Sequence, residues 1–110
     1  MTNMNDIRWL AGYLEGEGCF AAQKDYRYED IWSIRITVGS IDMDVIIEAA
    51  CILTLKNPKL YKSYANRKKF YQTRIYGNKA IGWMMTLYPL MGERRKKQIK
   101  EVIAIWRRNA

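Results

Sequence analysis

A chain of 110 residues with 49% hydrophobic and 27% charged residues fits one globular domain, residues 1–110, and excludes the disordered and fibrous classes. Nineteen Lys and Arg against eleven Asp and Glu give a formal net charge of +8, so we expect an anionic partner such as nucleic acid or an acidic membrane surface. Histidine is absent, which excludes histidine general bases, Ser/His/Asp triads and histidine-ligated metals.

Membrane and disulfide signals are missing from the sequence. It has no run of eighteen or more apolar residues, and its first residues lack the pattern of a signal peptide. We therefore expect a soluble, intracellular protein. Cys19 and Cys51 have no metal-ligand spacing, so the sequence predicts two buried free thiols instead of a disulfide or a zinc site.

The first predicted element is a helix capped by Asn5 or Asp6 and running to about Gly16. Its apolar stripe is formed by Leu10, Ala11 and Leu14. Two carboxylates, Glu15 and Glu17, stand near its C-terminus, where the helix dipole is negative. Such a placement costs a few tenths to about 1 kcal/mol unless a cation lies nearby.

A β-hairpin follows the helix. In the segment 32–38 every second residue is apolar (Trp32, Ile34, Ile36, Val38), which predicts a strand with one buried face. The segment before it, from Cys19, alternates in the same way, and the two pair around a turn near Glu29 and Asp30.

The rest of the chain repeats the helix and hairpin and then adds two helices. Residues 41–58 read as a helix capped by Asp42 and stopped by Pro58, and segments 59–64 and 69–76 flank a turn at 65–68. A helix from Gly77 to Leu87 and a last one over 93–109 are separated by Pro89 and Gly92. The predicted order is αββαββαα, an α+β fold with a four-stranded antiparallel sheet.

Gly12 and Gly16 lie four residues apart and therefore share one face of the first helix. Without side chains there, a second helix can approach closely, either within the chain or from a second subunit, and the spacing favours neither. In the subunit case, Glu17 meets its symmetry mate near the axis. Two adjacent carboxylates repel unless a proton or a divalent cation such as Mg²⁺ intervenes.

The stretch Leu10-Ala11-Gly12-Tyr13-Leu14-Glu15-Gly16-Glu17-Gly18 resembles the motif that names the LAGLIDADG homing endonucleases. It matches the leucine, the alanine and both outer glycines, and it keeps acids at both acidic positions. The resemblance extends over nearly the whole chain through the αββαββαα order and the Pro-then-basic junction at 87–99. One motif per chain implies the homodimeric type, which forms a two-fold saddle over a nearly palindromic double-stranded DNA site.

The resemblance also implies roles for individual residues. Glu17 stands at the metal-binding carboxylate, the Gly16 carbonyl at the backbone ligand, and Glu15 at a more structural acid; Mg²⁺ or Mn²⁺ is the implied cofactor. Arg94 falls at a basic position and Ser40 at a polar one near the metals, and we count both with Glu17 as candidate catalytic residues. The implied dimer interface consists of Leu10, Ala11, Gly12, Tyr13, Glu15 and Gly16.

Four positions depart from the family pattern. Glu replaces the commoner Asp at both acidic positions, and Ser40 is shorter than the usual glutamine. Arg94 keeps its charge but cannot lose a proton, so it can stabilise a phosphate and cannot serve as a base. These departures predict weak cleavage or a rearranged water network.

Base reading falls to the polar faces of the hairpins, because a twisted ribbon fits the major groove and Arg and Gln pair with guanine and adenine edges. The candidate DNA-binding residues of the first hairpin are Gln23, Asp25, Arg27, Ser33, Arg35 and Thr37. Those of the second hairpin, whose register the sequence leaves open, are Lys62, Arg67, Lys68, Gln72 and Arg74. Lys96 and Lys97 add phosphate contacts from the last helix.

A DNA endonuclease is the favoured function. The alternative is a protein of the same fold that binds nucleic acid without cleaving it, such as an intron maturase or a DNA-binding regulator; RNA binding is less favoured. Glu17 separates the two, since a non-cleaving protein has no need of a carboxylate at that position.

Overall fold

A computed structural model describes residues 3–24, 32–54, 61–65 and 68–109, and at residues 54, 61–65, 68 and 69 it describes the backbone alone. In this part of the chain four helices and four strands follow one another in the predicted order. They are α1 (Met4–Glu17), β1 (Gly18–Lys24), β2 (Trp32–Ser40), α2 (Met43–Thr54), β3 (Tyr61–Ala65), β4 (Lys68–Tyr76), α3 (Gly77–Leu87) and α4 (Glu93–Arg108). A 3-10 turn at Tyr88–Leu90 joins α3 to α4, where Pro89 and Gly92 predicted a break.

The strands form one antiparallel sheet in the order β1-β2-β4-β3. In the first hairpin Phe20 pairs with Ile36, and in the centre of the sheet Ile36 also pairs with Ile75. The four-stranded antiparallel sheet and the α+β class are thereby confirmed. The predicted turn at Glu29 and Asp30 and the helix stop at Pro58 lie outside the described residues.

One side of the sheet is buried against the helices. Alternate residues of β2 are buried, as the period of two predicts, and Ile36 and Val38 are fully enclosed. The helices cover them with apolar stripes, which in α1 consist of Leu10, Ala11 and Leu14. We call the opposite side of the sheet, on which Gln23, Arg35 and Arg74 lie, the outer face.

Helix α1 begins earlier than the sequence predicted. Its cap is Asn3, whose Oδ1 accepts a hydrogen bond of 2.8 Å from the Asp6 amide, so Asn5 and Asp6 are inside the helix. A side-chain acceptor at the cap satisfies an amide two or three positions further on, and the acid at Asp6 then lies near the positive end of the helix, where a negative charge is stabilising.

Both cysteines are exposed, so the prediction of buried thiols was wrong. Cys19 falls between buried Gly18 and Phe20, and the alternation of β1 therefore turns its side chain to the outer face. Cys51 lies on the side of α2 that also exposes Ile47. Cysteine is usually a buried residue type, which favoured burial. The periodicity of β1 and of α2 instead places the two side chains on exposed faces.

Two glycines are required by the local geometry. Gly77 has φ of +67°, a left-handed conformation that turns the end of β4 into α3 without the strain that a side chain would bring. Gly39 leaves room for the Phe70 ring, which a Cβ at this position would overlap. The close approach fixes the ends of β2 and β4 against each other on the outer face.

Candidate active site and nucleic-acid interface

The charge of the sheet is entirely of one sign. The four described strands contain no Asp or Glu. Their basic residues are Lys24, Arg35, Lys62, Lys68, Lys69 and Arg74. A surface with this charge attracts anionic groups such as the phosphates of nucleic acid.

The register groups the predicted base-reading residues in rows across the outer face. Gln23 pairs with Ser33, and Thr37 pairs with Arg74. Arg35 pairs with Tyr76. Directly paired residues of antiparallel strands point to the same side, so each row presents adjacent polar groups.

The structure also resolves the register of the second hairpin, which the sequence left open. Thr73 and Ile75 are buried, so Gln72 and Arg74 belong to the outer face, as predicted. The two side chains are joined by a hydrogen bond of 3.0 Å from Arg74 Nη2 to Gln72 Oε1. This bond holds two potential base-reading groups in a common orientation.

Several predicted DNA-binding residues are not tested by this arrangement. Asp25, Arg27 and Arg67 lie outside the described residues. Lys62 and Lys68 are described by their backbone alone, as the strand partners of Tyr71 and Ala65.

The glycine face of α1, formed by Gly12 and Gly16, is open in the protomer. Both glycines are exposed, and no atom lies within 4 Å of the position that a Cβ would occupy on either. The packing of this chain alone therefore gives no reason for glycine at these two positions of a helix, where glycine costs about 0.5–1 kcal/mol relative to alanine. The other described elements of the protomer do not fill this face, which disfavours packing within the chain, one of the two alternatives that the spacing left open.

Glu17 is the last residue of α1 and is exposed. Its side chain forms no hydrogen bond or ion pair with any described residue. The adjacent Gly16 carbonyl lies beyond the Leu14 carbonyl, which accepts the bond from the Gly18 amide that ends the helix. A free carboxylate and a carbonyl at the negative end of a helix are oxygen donors suited to a hard cation.

Glu15 occupies a different environment from Glu17, although both are acids of the same motif. Its Oε1 accepts a hydrogen bond of 3.3 Å from the amide of Gly92, the residue that caps α4. Its Oε2 is buried and has no hydrogen-bond partner in the described part of the chain. The structural role that the resemblance implied for Glu15 agrees with this contact.

Arg95 is a buried basic residue that sequence reasoning did not single out. The sequence places it on a basic helical surface, whereas the structure leaves only 7% of it exposed. Its Nε donates to the Glu15 carbonyl at 2.9 Å, and its Nη1 donates to Gln98 Oε1 at 2.9 Å. The one available signal is that Ile99 and Val102, four and seven residues later, share the inward face of α4.

The neighbouring basic residues differ from Arg95 in exposure. Arg94 and Lys97 are exposed in the first turns of α4. Lys96 is half-buried, with its Nζ 5.5 Å from the centroid of the Tyr88 ring. All three belong to the helical layer, so any DNA contact they make is separate from the outer face of the sheet.

Ser40 ends β2 and pairs with Tyr71. Its Oγ accepts a hydrogen bond of 3.0 Å from the Asp42 amide, at the start of α2. Ser40 thus shapes the turn between β2 and α2, and its predicted catalytic role stays a prediction.

The protomer leaves only part of the predicted dimer interface exposed. Leu10 and Ala11 are 0% and 3% exposed because they fill the core of their own protomer, so they cannot form a surface for a partner. Tyr13 is half-buried; its ring stacks on Trp9 at 5.6 Å and its hydroxyl donates to the Gly39 carbonyl at 3.3 Å. Only Gly12 and Gly16 of the predicted set form an open face.

The donor set can accept a cation but cannot complete its coordination. Among the described residues there is no group of three or more Asp, Glu, His or Cys side chains that could hold a metal ion. The protomer offers Glu17 and the Gly16 carbonyl, whereas Mg²⁺ takes six oxygen ligands. The oxygen donors fit Mg²⁺ or Mn²⁺, and the remaining ligands have to come from outside the described residues.

No helix in the described ranges is long and apolar enough to cross a membrane.

Helices cover one side of a basic antiparallel sheet, and the first helix ends in a free acid, so the chain is an α+β protein with a basic outer face. No family model and no curated protein matches this sequence. Among solved structures, it is similar to the homing endonuclease I-CvuI in complex with a DNA target, with TM-score 0.68 and 18% identity over 94% of this chain and 69% of that chain. It is also similar to the group I intron-encoded homing endonuclease I-CeuI complexed with DNA, with TM-score 0.68 and 14% identity over 94% of this chain and 55% of that one.

A third similar structure is the homing endonuclease I-TnaI, with TM-score 0.64 and 15% identity over 92% of this chain and 74% of that chain. The protein therefore has the homing-endonuclease fold, as the motif predicted. It spans between about half and three quarters of the length of these three chains.

Proposed function

We propose that this protein is a site-specific DNA endonuclease of the LAGLIDADG homing type, which acts as a homodimer and cleaves both strands of a near-palindromic site. The observation that carries the proposal is Glu17, a free carboxylate beside an open glycine face. The described part of the protomer gives no packing reason for the two exposed glycines and no partner for the exposed acid. A second copy that packs on this face would supply the reason for the glycines and would bring a second Glu17 to the same place.

The dimer explains the incomplete cation site. Two copies related by a two-fold axis would offer two Glu17 carboxylates and two Gly16 carbonyls to a cation, and a phosphate and water could provide the other oxygens. When bound, Mg²⁺ or Mn²⁺ would act as a Lewis acid and lower the pKa of a water molecule. The Glu17 carboxylate and the Gly16 carbonyl would hold the cation.

The other residues of the chain bind and orient the DNA. The outer faces of the two sheets together form a basic saddle along the duplex, in which Arg35, Gln72 and Arg74 reach base edges in the major groove. Arg94, always protonated, balances the charge that develops on the phosphate. Hydrolysis then breaks one phosphorus–oxygen bond in each strand, with water supplying the oxygen that replaces the leaving group.

The experiment is cleavage of a randomised DNA library with Mg²⁺ or Mn²⁺, comparing the protein with Glu17→Gln. The matched control is Glu101→Gln, which removes an exposed acid of α4 away from the glycine face. We expect enriched staggered cuts at a near-palindromic site for the protein and the control, and none for Glu17→Gln.

If no variant cleaves DNA but all enrich the same bound sequence, the endonuclease proposal is wrong and the non-cleaving alternative takes its place. Equal cleavage by Glu17→Gln would exclude the metal role of this carboxylate. Intracellular location and RNA binding are separate proposals, which this experiment does not address.

A further inference from the structure

Two hydrogen bonds join the end of α1 to the start of α4, across about 80 positions of sequence. Arg95 Nε donates to the Glu15 carbonyl at 2.9 Å, and the Gly92 amide donates to Glu15 Oε1 at 3.3 Å. We call these three residues, Glu15, Gly92 and Arg95, the helix clamp.

The clamp satisfies both helix ends at once. The last carbonyls of α1 lack amide partners and lie at the negative end of its dipole, and the guanidinium of Arg95 supplies both a donor and a positive charge there. The first amides of α4 lack acceptors at the positive end, and the carboxylate of Glu15 supplies an acceptor and a negative charge. Each helix thus provides the cap of the other.

Burial of Arg95 has a cost that its neighbours avoid. Arg94 and Lys97 on the same helix remain exposed, whereas Arg95 loses nearly all of its contact with water. A buried charge is tolerated only when hydrogen bonds replace its hydration, as the bonds to Glu15 and Gln98 do here. An apolar side chain can fill such a buried position at a lower free-energy cost. The contact therefore serves to position the two helix ends and not to stabilise them alone.

The place of the clamp in the sequence indicates which residues it positions. Glu15 is two residues before Glu17 and one before Gly16, and Arg95 directly follows Arg94. We propose that Arg95 and Glu15 are positioning residues of the endonuclease, which fix the metal-binding carboxylate of α1 relative to the phosphate-binding cation of α4. The inference rests on the proposed function, because it needs both Glu17 and Arg94 to act on the same phosphate.

Misplacement of a catalytic group by about 1 Å can lower the reaction rate on the order of 100-fold, even when the reacting groups themselves are unchanged. Loss of the clamp therefore impairs cleavage and metal binding, and it spares the DNA affinity that the outer face provides.

The test compares Arg95→Met, which removes the guanidinium and keeps the length, with Gly92→Ala. A Cβ at Gly92 would lie 2.5 Å from Glu15 Oε1, so alanine displaces the carboxylate and leaves Arg95 in place. The control is Lys100→Met, which removes one exposed charge of α4 outside the clamp. Arg95→Lys keeps the charge and one donor group.

Four quantities are measured for each variant. They are DNA affinity with Ca²⁺, single-turnover cleavage, the Mn²⁺ concentration that half-saturates the DNA-bound protein by electron paramagnetic resonance, and hydrogen exchange of the Gly92 amide. For Arg95→Met and Gly92→Ala we expect DNA affinity within about threefold, cleavage lower by roughly 10- to 100-fold, and a higher Mn²⁺ half-saturation. Arg95→Lys recovers part of the loss, and Lys100→Met matches the unmodified protein.

Two outcomes overturn the inference while the proposed function stands. One is cleavage and Mn²⁺ binding by Arg95→Met and Gly92→Ala that equal those of the control. The other is a loss of cleavage that only follows the folded fraction, with Mn²⁺ half-saturation unchanged. If Arg95→Met does not fold, Gly92→Ala decides between these results.

Failure of the proposed function looks different. In that case the unmodified protein itself neither cleaves DNA nor binds Mn²⁺, and the positioning role falls with it. Protection of the Gly92 amide then still reports whether the clamp exists as a purely stabilising contact.

Discussion

Substitution of Gly12 by alanine has opposite expected effects on the protomer and on the dimer. In the protomer no atom lies within 4 Å of the new Cβ, so alanine fits without a clash. Alanine is favoured over glycine inside a helix, and we expect the protomer to become more stable by about 0.5–1 kcal/mol.

In the proposed dimer the same methyl group enters a helix–helix contact. Excess volume in a packed contact costs about 1–3 kcal/mol, and the two-fold axis places two such methyl groups in each interface. A cost in this range raises the dissociation constant of the dimer by roughly 5- to 150-fold. Gly12→Ala is therefore expected to stabilise the protomer and to weaken the dimer, and the two effects are measured separately.

Urea unfolding below the dimer dissociation constant gives the stability of the protomer, because stability depends on concentration once subunits associate. Sedimentation velocity over a concentration series gives the dissociation constant. The control is Gly82→Ala in α3, which is also exposed with no atom within 4 Å of its Cβ position. If both glycine variants leave the dissociation constant unchanged, the glycine face is not the subunit interface and our reasoning about Gly12 is refuted.

Three further predictions concern the sheet. Gly39→Ala overlaps the Phe70 ring and should destabilise the fold by about 1–3 kcal/mol in urea unfolding, and adding Phe70→Leu should recover much of it; an unchanged stability of the single variant would contradict the close approach. Ile36→Ala, at a fully buried site, should cost about 2–5 kcal/mol in the same assay, and a cost near zero would show that this part of the sheet is loosely packed. Arg35→Ala should weaken binding of the selected DNA site by about 1–3 kcal/mol and relax the preference at one base pair, whereas uniform weakening across all sequences would assign Arg35 to the phosphates.

The sequence by itself determined the element order, the buried face of β2 and the position of the free acid. These follow from local rules: a period of two makes Ile36 and Val38 face inward, and Gly77 and Pro89 mark changes of backbone direction. Glu17 could be identified from the sequence as the candidate metal-binding acid because the motif resemblance depends on residue type and spacing within one helix end.

Only the tertiary structure decided contacts between distant segments. The register of β4 placed Gln72 and Arg74 on the outer face, although aromatic residues on both sides of this strand had left the choice open. The fold also enclosed Leu10 within its own protomer.

Arg95 shows the limit most clearly. In the sequence it is one of several adjacent basic residues, and its charge predicts exposure. In the structure its hydrogen bond to the Glu15 carbonyl replaces the lost hydration, and that acceptor lies 80 positions away in the chain. Local periodicity gives the face on which a residue lies, but the partner that makes its burial possible is brought there only by the fold.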